Sequence, residues 1–305
     1  MKKKFLYFFQ IFLTILILIP NQSLADSATI SSDSSTQQDI DGDGEFLTVK
    51  DNSTLATGAT TKAANVTGDS VDVTVESGST VSANTVAVFG DNTSDLTVTN
   101  SGTITASGIT AIDVKGTTDA TITNSSGGTI SSNRNTIRIS KTGSNNTTGL
   151  TITNSGTIKA IGSGSAIFSS GANSTATITN KAGGQITNSD NSNATIRVGT
   201  SSTIVNSGTI KNTNSVDDDA IKLYGNNATI TLKDGGIIVG KIDGLLRTGS
   251  TLKFNHGVGQ AYFYETEGDF TLEDLDGNQV VKGSAGSVGQ GGNENIDELL
   301  GYKSL

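Results

Sequence analysis

The phrase "ATITNSSGGTI", residues 120–130, returns as "LTITNSGTI", "ATITNKAGGQI", "STIVNSGTI" and "ATITLKDGGII". A unit repeated at near-constant spacing constrains the fold more than any single motif, because each copy has to bury its apolar residues against the next. Aligned on the residue that closes the phrase, the copies fall at Lys50, Glu76, Asn100, Asn124, Asn154, Asn180, Asn206 and Leu232, with spacings of 26, 24, 24, 30, 26, 26 and 26. The long interval contains "KTGSNNTTG", residues 141–149. Such an insertion costs little closure entropy and is expected to bulge from one face.

Each unit carries three short runs of alternating apolar and polar residues, for instance near Thr103–Thr105, Thr110–Val114 and Ala120–Thr123, bounded by Gly, Ser, Asn or Asp. Runs of this kind read as strands, and three of them leave no space in the unit for a helix. The expected architecture is therefore all-β: a three-sided parallel β-helix of about eight coils over residues 46–244, each strand pairing with its equivalent one coil later. Stacked at the usual strand spacing, these coils make a rod of roughly 40 Å.

Parity sets the sidedness. Ile122 and Asn124 share one face of their strand while Thr121 and Thr123 share the other, so if Ile122 is in the core then Asn124 is too. A buried amide needs partners, and the equivalent amides above and below can supply them. Asn100, Asn124, Asn154, Asn180 and Asn206 are thus expected to stack as a ladder. The glycine after each is expected to take positive φ in a tight turn. Lys50, Glu76 and Leu232 interrupt the pattern at the ends, where a rod has open sheet edges and atypical units.

The first residues predict export. Lys2, Lys3 and Lys4 precede an apolar run from Phe5 to Ile19, then Pro20 and the small-residue site Ser23-Leu24-Ala25. This reads as a signal peptide, residues 1–25, cleaved between Ala25 and Asp26; a spanning helix needs a longer apolar run. Removing three lysines takes the formal charge from -9 to -12, which disfavours nucleic acid as a partner. There is no cysteine, so no disulfide supports the exported chain.

The repeated "TITNSGTI" phrase, the exported cysteine-free chain and the small polar residues resemble the passenger part of bacterial autotransporters, type V secreted right-handed parallel β-helices. The resemblance covers residues 46 to about 305. It implies a location at the cell surface, the outer membrane or outside a Gram-negative cell, a display or adhesion role, and a partner that is a host, neighbouring-cell or polysaccharide surface. It also implies an outer-membrane β-barrel after the passenger, and none is encoded up to Leu305. Residues 26–45 read as a polar N-terminal segment. Residues 245–283, with Phe254, Tyr262, Phe263, Tyr264 and Phe270, read as a hairpin-built β cap, and 284–305 as a Gly-rich linker with a short helix near Asn295–Leu300.

Candidate chemistry is sparse. Asp39, Asp41 and Asp43 match the first half of a calcium loop, but its twelfth position, which wants a bidentate Glu, is Lys50. An acidic entry loop explains them as well. Asp217, Asp218 and Asp219 are candidate catalytic carboxylates for a polysaccharide lyase or hydrolase, the alternative function, with Asp190 and Asp243 as the nearest acids in the repeat register. A solvated acidic turn is the competing reading. His256, the single histidine, lacks a nucleophile signature beside it. There is no phosphate-binding glycine loop and no metal-spaced Cys/His set, so no cofactor is expected.

Overall fold

A computed structural model describes residues 27–58, 61–215, 217–256, 264–274 and 297–298. The expected signal peptide, its expected cleavage site between Ala25 and Asp26, Tyr262, Phe263 and most of the expected linker lie outside them. Every described element is a strand, and the strands form three parallel sheets of eleven, eight and eleven members, here A, B and C. The chain visits A, B and C in turn, so strands adjacent in a sheet are one coil apart in sequence. The result is a three-sided β-solenoid of about nine turns.

One coil shows how the sequence produces this. Thr97–Asn100 lies in sheet A, Thr103–Ala106 in B and Thr110–Lys115 in C. In the next coil, Thr121–Asn124 pairs in register with the first of these, Ile122 on Val98 and Asn124 on Asn100. Burial alternates as parity demands: Ile122 and Asn124 are buried, while Thr121 and Thr123 are half-buried on the outside. Val73, Val98, Ile122, Ile152, Ile178, Ile204 and Ile230 thereby form one continuous apolar column with at most 1% exposure.

The asparagine ladder is present. Nδ2 of Asn100 donates to Oδ1 of Asn124 at 2.8 Å, and Asn124 to Asn154, Asn154 to Asn180 and Asn180 to Asn206 each at 2.9 Å. All five are fully buried. Each amide also reaches turn carbonyls; Asn124 donates to those of Gly128 and Thr157, both at 3.2 Å. All the amides point the same way along the rod. The side-chain Oδ1 of Asn100 is consequently left without a donor among the described residues, while the Asn206 amide ends the ladder on the backbone carbonyl of Ile237.

Below Asn100 the column continues through Val75 and Val49, not through Glu76 and Lys50 as the phrase alignment expects. The position faces the core, so an apolar residue takes it, and the charged neighbour one step later faces out; Glu76 is exposed. Above Asn206 the column passes to Leu232, as expected, and then to Phe254.

The turn glycines divide by role, which corrects the single role expected of them. At Gly102, Gly156 and Gly208 the backbone does not have positive φ; a Cβ there would sit about 2.3 Å from a carbonyl oxygen of the coil below. In the longer turns Gly127, Gly183 and Gly235 do take positive φ, at 85°, 82° and 76°.

The ends also differ from expectation. Ala28–Ile30 already pairs with Phe46–Val49 and Gln38–Ile40 with Ala64–Val66, so residues 26–45 carry a first partial coil. At the other end Ser250–Asn255, Glu265–Glu267 and Phe270–Asp274 continue sheets A and C in parallel, rather than folding as hairpins. Parallel pairing there extends a hydrogen-bonding edge already in place. Where the linker was expected to turn helical, Asp297–Glu298 instead pairs antiparallel on Glu265–Glu267, covering part of an open edge. Aromatic residues fill this end: Tyr264, His256 and Phe270 are buried, and Tyr264 Oη lies 3.1 Å from His256 Nε2 with the two rings stacked.

Two predictions follow from burial. Replacing Asn154 by Ala removes a rung of the ladder and strands a donor on Asn124 and an acceptor on Asn180, costing about 1–3 kcal/mol, measurable by denaturant unfolding. Burial lowers the pKa of His256 from its ordinary 6.5. A folded state that binds its proton less readily than the unfolded chain loses stability as pH falls. That contribution is intact above pH 6.5 and declines below it, and His256→Phe should flatten this part of a thermal-stability profile measured against pH.

Candidate functional site: the outer face of sheet C

The three faces differ in chemistry. On sheet A, one outward column reads Thr97, Thr121, Thr151, Thr177, Thr203, Thr229, Thr251 and Thr271. A second runs Thr99, Thr123, Thr153, Thr179, Val205 and Thr231 beside it. Sheet B is similar, with Thr80, Thr103, Thr129 and Thr157 in line.

Sheet C presents charges and rings instead. Its outward column runs Asp39, Asn65, Phe89, Asp113, Arg138, Phe168, Arg197, Lys222, Asp243 and Glu267. In the N-terminal half, Lys62 Nζ sits 3.5 Å from the centre of the Phe89 ring, a cation–π contact. Asp113 is fully buried although it points away from the core, because the Arg138 guanidinium pairs with it and Ser140 Oγ donates to it at 3.0 Å. The hydrogen bond to Asp113 raises the pKa of Arg138.

Further along, Arg197 lies 4.8 Å from the ring of Phe168 and 3.7 Å from that of Tyr224, and Arg247 lies 5.5 Å from Tyr224. Lys222 bridges Asp243 at 2.5 Å and Asp219 at 3.0 Å. Burial opposes the charge on Lys222, but its hydrogen bonds to Asp243 and Asp219 outweigh that and raise its pKa. Burial likewise pushes the Asp219 carboxyl up, and its share of Lys222 does not compensate, since Asp243 holds the closer contact and adds a like charge.

The insertion at 141–149 does not project freely. Thr142 and Asn145 exchange backbone hydrogen bonds of 3.0 and 2.9 Å in a tight loop, and Thr142 Oγ1 donates to Asp91 at 2.7 Å, two coils back. The buried Thr147 donates to the carbonyl of Ser140. The loop therefore lies along one border of the sheet C face.

The residues singled out from sequence fall in separate places. Asp39 is on the outer face of sheet C and accepts hydrogen bonds from Gln37 and Asn65. Asp43 accepts one from the backbone of Asp69; Asp41 is exposed. The turn between them closes on the buried Glu45 carboxylate, which accepts from the Gly42 amide at 3.0 Å. Among the described residues no group of three His, Asp or Glu side chains is placed to hold a metal ion. Asp217 is exposed and Asp218 accepts from Asn214, while Asp219 begins its strand beside Lys222. Asp190 is turned into its own loop: burial works against its charge, but hydrogen bonds from Ser192 and Asn193 prevail and lower its pKa.

Sequence reasoning missed the sheet C column. Its signal was available: charged or aromatic residues at the second of two alternating positions, where the equivalent positions on sheets A and B hold mostly threonine. No family model, curated protein or solved structure matches this chain.

The buried half of the Asp113–Arg138 pair makes a test. Arg138→Leu leaves a carboxylate in a site without water, a loss of about 3–5 kcal/mol for a fully buried pair, reduced to about 1–3 kcal/mol because the Arg138 side chain is 34% exposed. Asp113→Asn added to Arg138→Leu should recover part of it in the same denaturation experiment.

Proposed function

We propose that this chain is a secreted or surface-displayed rod of the autotransporter-passenger type, exported through its N-terminal signal, and that it works in display and adhesion. The observation that carries the reading is the repetition of one outward chemistry along the rod: eight threonines in register on sheet A, each about one strand spacing from the next. Such a face offers many equivalent weak contacts and no single deep pocket, and its grip comes from how many are made at once. The carboxylates of sheet C support the same reading. Asp113, Asp219, Asp243 and Glu267 are each engaged by a cation, whereas cleavage of a glycosidic bond asks for a proton-donating acid and an available carboxylate on opposite sides of the bond.

One observation favours the second reading, a polysaccharide-acting lyase or hydrolase. Asp219 has a raised pKa beside Asp243, as a general acid would. Incubation with polysaccharides followed by reducing-end and unsaturated-product assays separates the two: adhesion predicts no product, and product lost in Asp219→Asn would replace the adhesion reading with the enzyme. Adhesion itself is measured with the chain coupled to beads over polysaccharide-coated and cell-coated surfaces under flow. Retention should fall stepwise as Thr151, Thr177 and Thr203 are changed to Ala. Beads that no surface retains would remove the proposal.

A further inference from the structure

We propose that Arg197 and Arg247, arranged around the ring of Tyr224 and next to Phe168, form a binding site for an acidic saccharide, a sugar ring bearing a carboxylate or sulfate. The inference rests on the adhesion reading only for the choice of a glycan; the site itself is argued from its own geometry.

The first argument is charge. In a chain with a formal net charge of -9, cations on this face are expected to be matched by acids, and most are: Arg138 with Asp113, Lys115 with Asp91, Lys222 with Asp219 and Asp243, Lys241 with Glu265 and Glu267. Lys62, over Phe89, is held instead by the Asn65 amide oxygen at 2.7 Å; Arg197 and Arg247 are also without an acid. No carboxylate among the described residues lies within ion-pair distance of either, yet both guanidinium groups approach the same ring, at 3.7 and 5.5 Å. Two like charges gathered on one ring repel, and an anion placed between or above them would offset that repulsion.

The second argument is unused donor capacity. The Arg197 guanidinium hydrogen-bonds the Tyr224 side chain, but its Nε, like that of Arg138, is buried without an acceptor among the described residues, and a buried unpaired donor is costly unless something completes it. Arg247 is held differently: its Nε donates to the carbonyl of Leu223 at 3.3 Å and its backbone amide to Gly244 at 3.0 Å. That anchors the side chain through one nitrogen, and with no acceptor for its terminal nitrogens among the described residues, the fork can pair with a planar anion in two parallel hydrogen bonds. The loop that presents Arg247 is strained, with Leu246 at φ 62° and 87% exposed. A bulky residue in that conformation is uncommon and marks a segment whose shape is fixed by its surroundings.

The third argument is shape. Phe168, Arg197 and Tyr224 lie half-buried on successive coils, forming a strip of flat surfaces on the outside of a rod. The guanidinium groups held against these rings are placed to pair with the acid of a sugar lying along the strip. Arg197 and Arg247 belong to coils two apart, roughly 10 Å along the axis, which suits consecutive units of a glycan chain lying along the rod. A densely charged polyanion such as nucleic acid is disfavoured by the acidity of the rest of the chain.

The test uses the whole purified chain, with binding measured by calorimetry against three probes: oligogalacturonate for the carboxylate, dextran sulfate oligomers for the sulfate, and neutral dextran oligomers. Binding to one or both acidic probes and not to neutral dextran is expected, and which probe binds identifies the acid. Arg197→Lys keeps the charge but loses the fork and the stacking, and should weaken binding about tenfold; Arg247→Gln should do the same, and the double variant should abolish it. Circular dichroism and melting of each variant separate lost binding from lost fold; if Arg197→Lys melts early, Arg247→Gln carries the test, because Arg247 sits in a turn between strands and Gln can still donate to the Leu223 carbonyl. Equal binding of neutral dextran, affinity unchanged in both variants, or equally tight binding of oligoglutamate would each overturn the site. If neither acid binds while beads still adhere, the site fails and the adhesion reading stands; if the acidic probes bind and no surface retains beads, the reverse holds.

Discussion

Parallel in-register pairing between successive coils is the interaction on which the rest of this structure depends. Strands satisfy most of their backbone donors and acceptors through the strand one coil earlier and one coil later, and in-register stacking places equivalent side-chain positions above one another at a single spacing. Everything periodic about the molecule follows from that: the apolar column inside, the amide ladder at the corner and the threonine rows outside. It also explains why the chain manages without disulfides. Stability accumulates coil by coil through nearest-neighbour interfaces, so the stabilisation does not have to come from a few strong links.

The asparagine ladder shows how such a scaffold handles a polar core. An isolated buried amide in a column of isoleucine and valine would be costly, but five in succession satisfy one another and use their second hydrogens on turn carbonyls. The ladder is directional, so it has to begin and end. It begins against Val75 and ends at Leu232. Those apolar replacements let the column continue to both ends, and the ladder's one unmatched group among the described residues, Asn100 Oδ1, falls where the ladder begins.

Function is read from what departs from the repeat. Sheets A and B repeat hydroxyl groups, whereas sheet C varies from coil to coil, with acids, bases and rings in one column. A column of ion pairs and cation–ring contacts along a rod holds itself together, and Arg197 and Arg247, which no carboxylate among the described residues pairs, are where the proposed ligand would bind. The insertion at 141–149, which packs back toward Asp91 instead of reaching outward, borders the same sheet. In the proposed adhesion role, repetition would supply length and presentation, and the irregular face selectivity.

Much of this was legible in the residues. The spacing of the repeat dictated a solenoid, the parity of Thr-Ile-Thr-Asn dictated which side chains are inside, and the ladder Asn100, Asn124, Asn154, Asn180 and Asn206 followed from the two together. These are local or periodic properties, and periodicity carries local rules through the whole chain. Tertiary structure decided what periodicity does not encode. It placed Val49 and Val75, not Lys50 and Glu76, in the corner column, because facing the core overrides likeness to the phrase. It turned the N-terminal segment and the cap into further coils, because an open edge recruits any strand that reaches it. And it brought Phe168, Arg197, Tyr224 and Arg247 together from separate coils, since the registry of one coil on the next fixes which distant residues share a surface.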